Sequence, residues 1–314
     1  MIQCEDLSKN FDGFPAVDGV TLNIQPGQVL AILGQNGAGK TTTVRMLTSI
    51  LVPSRGWAKV AGYDTVKCPR EVRSVVGVLT EMHGLYGRMT GLEYLDFFGQ
   101  VYNLDKDRRA RRSKELLEYF GLTADGDKRT GNYSKGMRQK LALARALIHE
   151  PQVLLLDEPT SAMDPESAQL VRQEISRLRS AQRTIIICTH NLTEAEILAD
   201  TIAIIYHGKI LLSGTLDDLR KRLLGPAEFI IKLPYQDSQL NKVISRIEFP
   251  IGVNLLEINS DGFRFDVQDP NTANPIVLQK LFEKNIPVVS VQEVQRTLEK
   301  IYLKAMSQAA EGIL

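Results

Sequence analysis

A glycine-rich segment followed by lysine and threonine limits the folds open to this chain more than any other feature of its sequence. Residues 34–41 read GQNGAGKT and fit the pattern G-x-x-x-x-G-K-[ST]. The apolar run Val29 to Leu33 precedes this segment, and a helix-like stretch, Thr41 to Leu51, follows it. A strand, a glycine-rich loop and a helix in this order predict a P-loop, whose backbone N–H groups close around nucleotide phosphates at the positive end of the helix.

Each residue type in this loop has a physical role. Gly37 and Gly39 are expected where a Cβ would block the tight turn. Lys40 offers a positive charge to the β- and γ-phosphates, and the Thr41 hydroxyl can bind Mg²⁺. The predicted nucleotide-binding residues of the loop are Gly34, Asn36, Gly37, Ala38, Gly39, Lys40, Thr41 and Thr42.

Two carboxylates end a second buried strand. The apolar run Val153 to Leu156 leads directly into Asp157 and Glu158. In P-loop enzymes an acidic residue at the end of a neighbouring strand holds Mg²⁺, so we expect Asp157 to do so through water. We expect Glu158 to polarise a water for attack on the γ-phosphate. A third strand, Thr184 to Cys188, leads to His190, which is a candidate contact to the γ-phosphate.

The succession of strands and helices predicts an α/β fold in the first part of the chain. Short β-rich runs alternate with helical stretches from residue 1 to about 224. The stretch from about 90 to 150 is mostly helical and separates two predicted strands by far more than a tight crossover. We therefore predict an inserted helical lobe at 90–150.

A boundary is predicted at Gly225-Pro226, which divides the chain into domains 1–224 and 225–314. In the second domain the elements follow the order βαββαβ, which predicts a small α+β domain of the ferredoxin-like type, with a last helix after it. The six predicted elements lie at about 229–233, 240–247, 253–258, 263–267, 276–282 and 288–291. The turn Ser260-Asp261-Gly262 joins the two middle strands into a hairpin.

Composition excludes several classes of protein. Lys and Arg number 38 against 37 Asp and Glu, a net charge of +1 that gives no overall attraction to nucleic acid or to an anionic membrane. Three widely spaced cysteines form neither a disulfide framework nor a zinc motif. No apolar run approaches the roughly 18–20 residues of a membrane span, and the charged N-terminus lacks a signal-peptide core. We expect a cytosolic protein whose membrane part, if it has one, is another chain.

A further motif completes the pattern. Residues 133–139, YSKGMRQ, start a helix shortly before the acidic strand. Together with the P-loop and that strand, they resemble the LSGGQ-type signature of the ATP-binding subunits of ABC (ATP-binding cassette) transporters, over residues 1 to about 220. The resemblance implies a P-loop ABC-type ATPase core in which two cassettes enclose two ATP molecules with Mg²⁺. It also implies that Ser134 and Gly136 contact the ATP held by the other subunit.

The resemblance assigns roles to single residues as well. Phe11 occupies the place of the aromatic residue that stacks on adenine, and Asp164 ends the loop that crosses the dimer interface. His190 matches the switch histidine. Where many cassettes have Gln, this chain has Glu81, whose carboxylate can accept from water or approach Mg²⁺. The Mg²⁺ ligands implied are Thr41, Asp157 and Glu81.

The branch of the family is indicated by Glu81, by the YSKGM segment and by an extension of about 90 residues that contains TLEKIYLKAM. These features are similar to those of exporters of the drug, sodium-ion or lipid type. The resemblance implies a homodimer at the cytoplasmic face of the cell membrane, whose ATP-driven dimerisation and hydrolysis power a separate transmembrane permease. The permease would dock near Met82 to Phe98, and no nucleic-acid partner is expected.

Several alternatives stay open. An ABC-type ATPase acting on DNA or the ribosome would usually carry two cassettes or a long coiled-coil insertion, whereas this chain has one cassette and no heptad run. The working pair could include a different cassette, although the motifs on both faces of the predicted dimer are intact. The second domain could hold dimer contacts or sense a ligand, since its fold decides neither. The basic stretch Lys106 to Lys114 is interpreted as a solvated helix face, with contact to a permease loop or to lipid headgroups as the alternative.

Overall fold

Strands and helices alternate along the first part of the computed structural model, which describes residues 1–80, 84–161, 163–234 and 243–313. The strands of this part are β1 (Ile2–Phe11), β2 (Phe14–Ile24), β3 (Val29–Leu33), β4 (Arg55–Val60), β5 (Tyr63–Asp64), β6 (Val76–Leu79), β7 (Val153–Asp157), β8 (Thr184–Thr189), β9 (Thr201–Tyr206) and β10 (Lys209–Gly214). Its helices are α1 (Lys40–Leu47), α2 (Pro69–Val75), α3 (Gly91–Val101), α4 (Lys106–Tyr119), α5 (Lys135–Leu147), α6 (Pro165–Arg177) and α7 (Leu192–Leu198).

A six-stranded sheet with the order β10-β9-β3-β8-β7-β6 positions the predicted site. Its strands run parallel except for β10, which is antiparallel to β9. β3, β7 and β8 are buried along their whole length, as parallel strands covered on both faces must be. Because the carboxyl ends of parallel strands meet at one edge, Leu33, Asp157 and Thr189 lie at the same edge of the sheet. A second, antiparallel sheet has the order β2-β1-β4-β5.

Helix α1 is shorter than the sequence predicts. The apolar pattern continues to Leu51, but the helix ends at Leu47. Ser49 has a left-handed backbone, with φ of 59°, and the N–H groups of Ile50 and Leu51 both donate to the carbonyl of Arg45 at 2.9 Å. This left-handed ending closes the helix with its last carbonyls satisfied, so the apolar residues beyond it belong to the following turn.

The helices expected between residues 90 and 150 are present as α3, α4 and α5. Thr90 and Glu93 form a reciprocal capping box at the start of α3, with contacts of 3.2 Å and 2.8 Å. Asp105 caps α4 by accepting from the N–H of Arg108 at 2.8 Å. The buried side chains of this lobe include Tyr94 and Phe120, which belong to the same apolar core as β7. The lobe is thereby packed onto one face of the central sheet.

The second part of the chain has its own sheet and core. Its elements are α8 (Leu216–Leu224), β11 (Ala227–Lys232), β12 (Val253–Asn259), β13 (Gly262–Val267), α9 (Pro270–Glu283), β14 (Ser290–Glu293) and α10 (Leu298–Ala310). The sheet is antiparallel with the order β12-β13-β11-β14, so its first strand lies between its third and fourth, as in a ferredoxin-like fold. The helix predicted at 240–247 begins outside the described residues.

Boundaries in this part differ from the predictions by a few residues. α9 begins at Pro270 rather than at residue 276, because Asp269 caps the helix and proline suits its first position. β14 begins at Ser290, two residues later than predicted. The described residues form two compact units, Met1–Leu216 with Met306–Leu314, and Asp217–Ala305. The predicted boundary at residue 224 falls at the end of α8, whereas the second unit begins near the start of that helix. No helix within the described residues is long and apolar enough to cross a membrane.

Candidate nucleotide-binding site

The glycine-rich loop connects β3 to α1 and depends on its glycines for different reasons. Gly39 has φ of 108°, and a Cβ placed there would lie 2.6 Å from the carbonyl oxygen of Ala16. Gly37 has φ of 81°, but a Cβ there would meet nothing within 4 Å. The prediction that a side chain would block the turn is therefore wrong for Gly37, where only the left-handed backbone favours glycine. Gly34 also lacks room, since its Cβ would lie 2.5 Å from the carbonyl oxygen of Ile205.

The start of α1 is open to an anion. Gly39 is its N-cap residue, no side chain caps the helix, and its first turn carries no acidic residue. The N–H groups of a first helical turn have no partner within the helix, and they lie at the positive end of its dipole. The local sequence thus leaves donors and positive potential where a phosphate can bind.

A cavity of about 370 Å³ lies in front of this helix end. Its lining consists of Phe14, Ala16, Glu158 and the loop residues Gln35, Asn36, Gly37, Gly39, Lys40, Thr41 and Thr42. Gly34 and Ala38 of the predicted set are buried and support the loop from behind. Phe11, the predicted adenine contact, is 42% exposed but does not line the cavity.

Phe14 is the aromatic residue at the cavity, and the sequence reasoning missed it. Phe14 is 65% exposed and pairs directly with Phe11 across the β1–β2 hairpin. The turn residues Asp12 and Gly13 both have positive φ. An Asp-Gly pair between two strands is a hairpin signal, and it could have placed the two phenylalanines opposite each other.

Lys40 is buried at the floor of this site, with 5% exposure. Its ammonium group donates to the carbonyl oxygens of Gly34 at 2.7 Å and Gln35 at 3.2 Å. It also forms an ion pair with Glu158, at 3.2 Å between Nζ and Oε1. The lysine head is thus fixed between the glycine-rich loop and the acidic strand end.

Glu158 is held on both sides. Its other oxygen, Oε2, lies 2.8 Å from Nδ1 of His190. Its backbone is left-handed, with φ of 51°, and its N–H donates to the carbonyl of Cys188 at 2.8 Å. The carboxyl group is 8% exposed, whereas the His190 side chain is 51% exposed. The structure therefore brings Lys40, Glu158 and His190 together at the carboxyl edge of the sheet.

Thr41 and Asp157 form the candidate metal site. The Thr41 hydroxyl donates to Oδ2 of Asp157 at 2.8 Å. A hydroxyl beside a carboxylate fits Mg²⁺, which prefers oxygen ligands and binds proteins through one or two of them plus waters and phosphates. Within the described part of the chain, no group of three or more His, Cys, Asp and Glu side chains could hold a metal ion by itself. The third predicted ligand, Glu81, lies outside the described residues.

The signature residues lie at a different helix start. Ser134 is the N-cap residue of α5 and accepts from the N–H of Met137 at 3.2 Å. Asp164 caps α6 in the same way, accepting from the N–H of Ser167 at 2.9 Å, and this hydrogen bond lowers the pKa of Asp164. A Cβ on Gly136 would lie 3.8 Å from the Ser167 hydroxyl, so the starts of α5 and α6 are neighbours. Ser134 and Asp164 are exposed and lie outside the lining of the cavity at Lys40.

The basic stretch on α4 is largely neutralised within the chain. Arg108 pairs with Glu150 at 2.5 Å, and Arg109 pairs with Asp96 at 2.9 Å. Arg111 and Arg112 both pair with Glu115, at 3.7 Å and 3.2 Å. These pairs favour the interpretation as a solvated helix face.

Known proteins that are similar to this chain are ATP-binding proteins, in agreement with a nucleotide site at this position. Residues 17–161 match the family model described as ABC transporter. The ABC transporter ATP-binding protein NatA of Bacillus subtilis (strain 168) is 43% identical over 224 residues, which cover 70% of this chain and 91% of NatA. The bacitracin transport ATP-binding protein BcrA of Bacillus licheniformis is 32% identical over 314 residues, 99% of each chain. A solved structure of an ATP-binding subunit of an ABC transporter is 29% identical with a TM-score of 0.65, covering 72% of this chain and 94% of that one.

Proposed function

The chain belongs to the family of ABC transporter ATP-binding proteins, and from this premise we propose that it hydrolyses ATP as a homodimer to drive a separate transmembrane permease. The observation that carries the proposal is the cluster of Lys40, Glu158 and His190 in front of the uncapped start of α1. Such a cluster combines phosphate binding with a base for water.

The proposed reaction assigns one role to each of these groups. The N–H groups at the start of α1 and the Lys40 ammonium bind the β- and γ-phosphates. Glu158 accepts the proton of the attacking water, and His190 donates to the γ-phosphate as negative charge spreads over its oxygens. Because Lys40 and His190 both contact Glu158, an entering γ-phosphate meets two cationic or donor groups already gathered at one point. Thr41 and Asp157 would hold Mg²⁺, which neutralises phosphate charge when bound.

The second half of each ATP site comes from the other copy in this proposal. Ser134, Gly136 and Asp164 lie at the adjacent starts of α5 and α6, outside the lining of the cavity at Lys40. Ser134 and Asp164 are exposed and Gly136 is half-buried, which leaves all three within reach of a nucleotide held by a facing copy in this proposal. ATP then links the P-loop of one copy to the signature helix of the other, and hydrolysis removes the link.

An exposed aromatic surface on the helical lobe is the proposed permease contact. Tyr86 is 50% exposed and lies 6.0 Å from the ring of Phe97, which is 37% exposed. Tyr86 also stacks at 6.5 Å on Phe98, whose ring the Arg145 guanidinium faces at 5.4 Å. Grouped exposed aromatics with a fixed backing are typical of protein contacts. This surface falls within the predicted docking segment, of which Met82 lies outside the described residues.

We also propose a place and a direction of transport, by analogy with the family. A subunit that docks on a permease from inside the cell works at the cytoplasmic face of the membrane. A relative that matches this chain over 99% of its length is named for bacitracin transport, and another over 99% for daunorubicin/doxorubicin resistance, so we propose an exporter of an antibiotic-like compound.

The test combines hydrolysis with capture of the partner. Tagged Glu158→Gln protein is purified from native membranes in mild detergent with ATP and Mg²⁺, and the unmodified protein is assayed for ATP hydrolysis. We expect hydrolysis in the unmodified protein and equimolar recovery of a multi-span membrane protein with the variant. Recovery of nucleic acid or ribosomes instead would contradict the permease assignment.

A further inference from the structure

A buried carboxyl group is tied to the two segments that carry Glu158 and His190. Glu194, on α7, is 1% exposed. Its Oε1 accepts a hydrogen bond from the Thr160 hydroxyl at 3.0 Å, and its carboxyl group also hydrogen-bonds the side chain of Thr189. Both threonines are buried as well. Glu194 does not line the cavity at Lys40, so the proposed reaction leaves it without a direct role.

The two threonines lie close in the sequence to Glu158 and His190. Thr160 lies two residues after Glu158, in the loop that leads to Asp164, and Thr189 immediately precedes His190. Glu158 has a left-handed backbone, a conformation that costs a residue other than glycine free energy and persists only where its surroundings impose it. The hydrogen bonds of Glu194 join the segment after Glu158 to the strand end before His190. One buried group therefore fixes both partners of the Glu158–His190 contact.

The charge state of Glu194 bears on the same contact. Burial raises the pKa of Glu194 above its usual 4.5, and the negative charge of Glu158 raises it further, while the Thr189 and Thr160 hydroxyls and Arg172 on α6 act in the opposite direction. Within the described residues its Oε2 has no hydrogen-bond partner. An ionised oxygen in that position would lack the donors that a buried negative charge requires. The uncharged form also spares Glu158 a second negative charge nearby.

We propose that Glu194 is a positioning residue, which through Thr160 and Thr189 holds Glu158 and His190 in register for hydrolysis, and that it does this as an uncharged carboxyl group. The inference rests on the proposed ATP hydrolysis and adds a requirement to it. Glu194 exchanges no proton with the substrate. When Glu194 ionises, its negative charge repels Glu158 and disturbs the Glu158–His190 contact that the two threonines hold in place.

The test is the pH profile of ATP hydrolysis in the unmodified protein, Glu194→Gln and Glu194→Ala. Glutamine has the shape and hydrogen-bonding capacity of the uncharged acid. We expect Glu194→Gln to keep kcat within about twofold of the unmodified protein at the acidic end, and to lack the decline that the unmodified protein shows as pH rises through the pKa of Glu194. Glu194→Ala should lower kcat at least about tenfold with KM for ATP nearly unchanged. Glu196→Gln, an exposed carboxylate on the same helix, is the matched control and should follow the unmodified protein.

Two results would overturn the inference. A kcat of Glu194→Gln at least about tenfold below that of the unmodified protein at the acidic end would exclude the uncharged state, and an unchanged kcat in Glu194→Ala would exclude positioning. Should the alanine variant fail to fold, thermal stability of the other two proteins reports the charge state. The unfolded carboxyl ionises near 4.5 and the folded one at higher pH, so the unmodified protein should lose stability relative to Glu194→Gln as pH rises through the folded pKa. A parallel pH dependence would contradict this, whereas absent hydrolysis in the unmodified protein at every pH would overturn the proposed function instead.

Discussion

The first turns of α1 and α5 differ in whether a side chain accepts a hydrogen bond from their backbone N–H groups. α1 begins after Gly39 with no side-chain cap, over a buried lysine and a cavity. α5 begins after Ser134, whose hydroxyl oxygen already accepts from the first turn, and this start is exposed. A capping side chain satisfies one of the orphan donors that an anion would otherwise use. In the proposed function, α1 therefore forms a nearly complete phosphate site alone, whereas α5 supplies one that needs a second surface.

The charges around the two helix starts also differ, and those at α1 favour an anion more than those at α5. At α1 the positive end of the helix is joined by Lys40, and Glu158 and His190 lie within one contact of each other. At α5 the neighbouring helix start is capped by the exposed carboxylate of Asp164. Water screens exposed charges strongly, so the α5 side gains strength only when a facing molecule excludes solvent.

The largest expected effect is the loss of ATP affinity on substitution of Lys40, at the start of α1. Lys40→Ala removes the cation at the phosphates and leaves the buried Glu158 carboxylate with His190 as its neighbour. A hydrogen bond to a charged group contributes about 1.5–3 kcal/mol, and Lys40 makes two of them to the β- and γ-phosphates in the proposed site, so we expect ATP affinity to fall at least about 100-fold. Titration with a fluorescent ATP analogue measures this. Lys209→Ala, which removes an exposed lysine paired with Asp18, should bind as the unmodified protein does, and equal affinities in the two variants would contradict the role of Lys40.

The second prediction is a substitution at the start of α5 that affects dimerisation but not ATP binding at the start of α1. Ser134→Arg should leave ATP binding by the isolated chain unchanged, because Ser134 lies outside the cavity at Lys40, yet it should abolish ATP-dependent dimerisation and hydrolysis. Asp105→Ala is the control for loss of a helix cap, since it removes the N-cap of α4 outside the site and costs about 1 kcal/mol of stability. Light scattering with and without ATP and Mg²⁺ reports the dimer. Normal turnover in the arginine variant would refute a site shared between copies.

The smallest effect concerns the far end of α5. His149 follows that helix, stacks on Tyr102 at 3.7 Å and contacts the carbonyl of Val76 at 3.1 Å. Burial lowers the pKa of His149 to about 4 from the usual 6.5. Its neutral form therefore stabilises the fold fully above pH 6.5 and does so less as pH falls toward 4, with about 2 kcal/mol lost at pH 5. His149→Phe keeps the stacking and should remove this part of the acid sensitivity in thermal unfolding, and an unaltered pH dependence would speak against it.

Local sequence predicts those features of the molecule that depend on backbone conformation. The glycine-rich loop and the apolar strands beside it are short-range patterns, and the structure has them where expected. Contacts between distant segments were less accessible. The Asp12-Gly13 turn that brings Phe14 to the cavity, and the left-handed ending that stops α1 at Leu47, depend on single residues that hydrophobic periodicity does not register.

Glu194 is another residue whose environment the sequence does not predict. In the sequence it is one carboxylate in a polar run at the start of a short helix, which is typical of an exposed helix start. Its burial follows from the packing of α7 against β3 and β8, and its partners lie in two other segments. The burial of a charged residue type is a tertiary property, and therefore sequence patterns alone do not reveal it.

ATP is proposed to bind between two copies of this chain, and the mass of the Glu158→Gln variant in solution reports whether it does. This variant keeps the P-loop, Lys40 and the signature helix but lacks the proposed base, so bound ATP should persist. We predict a monomer without nucleotide and a dimer with saturating ATP and Mg²⁺, reverting to monomer with ADP. A monomer that has ATP bound under the same conditions would contradict the shared site.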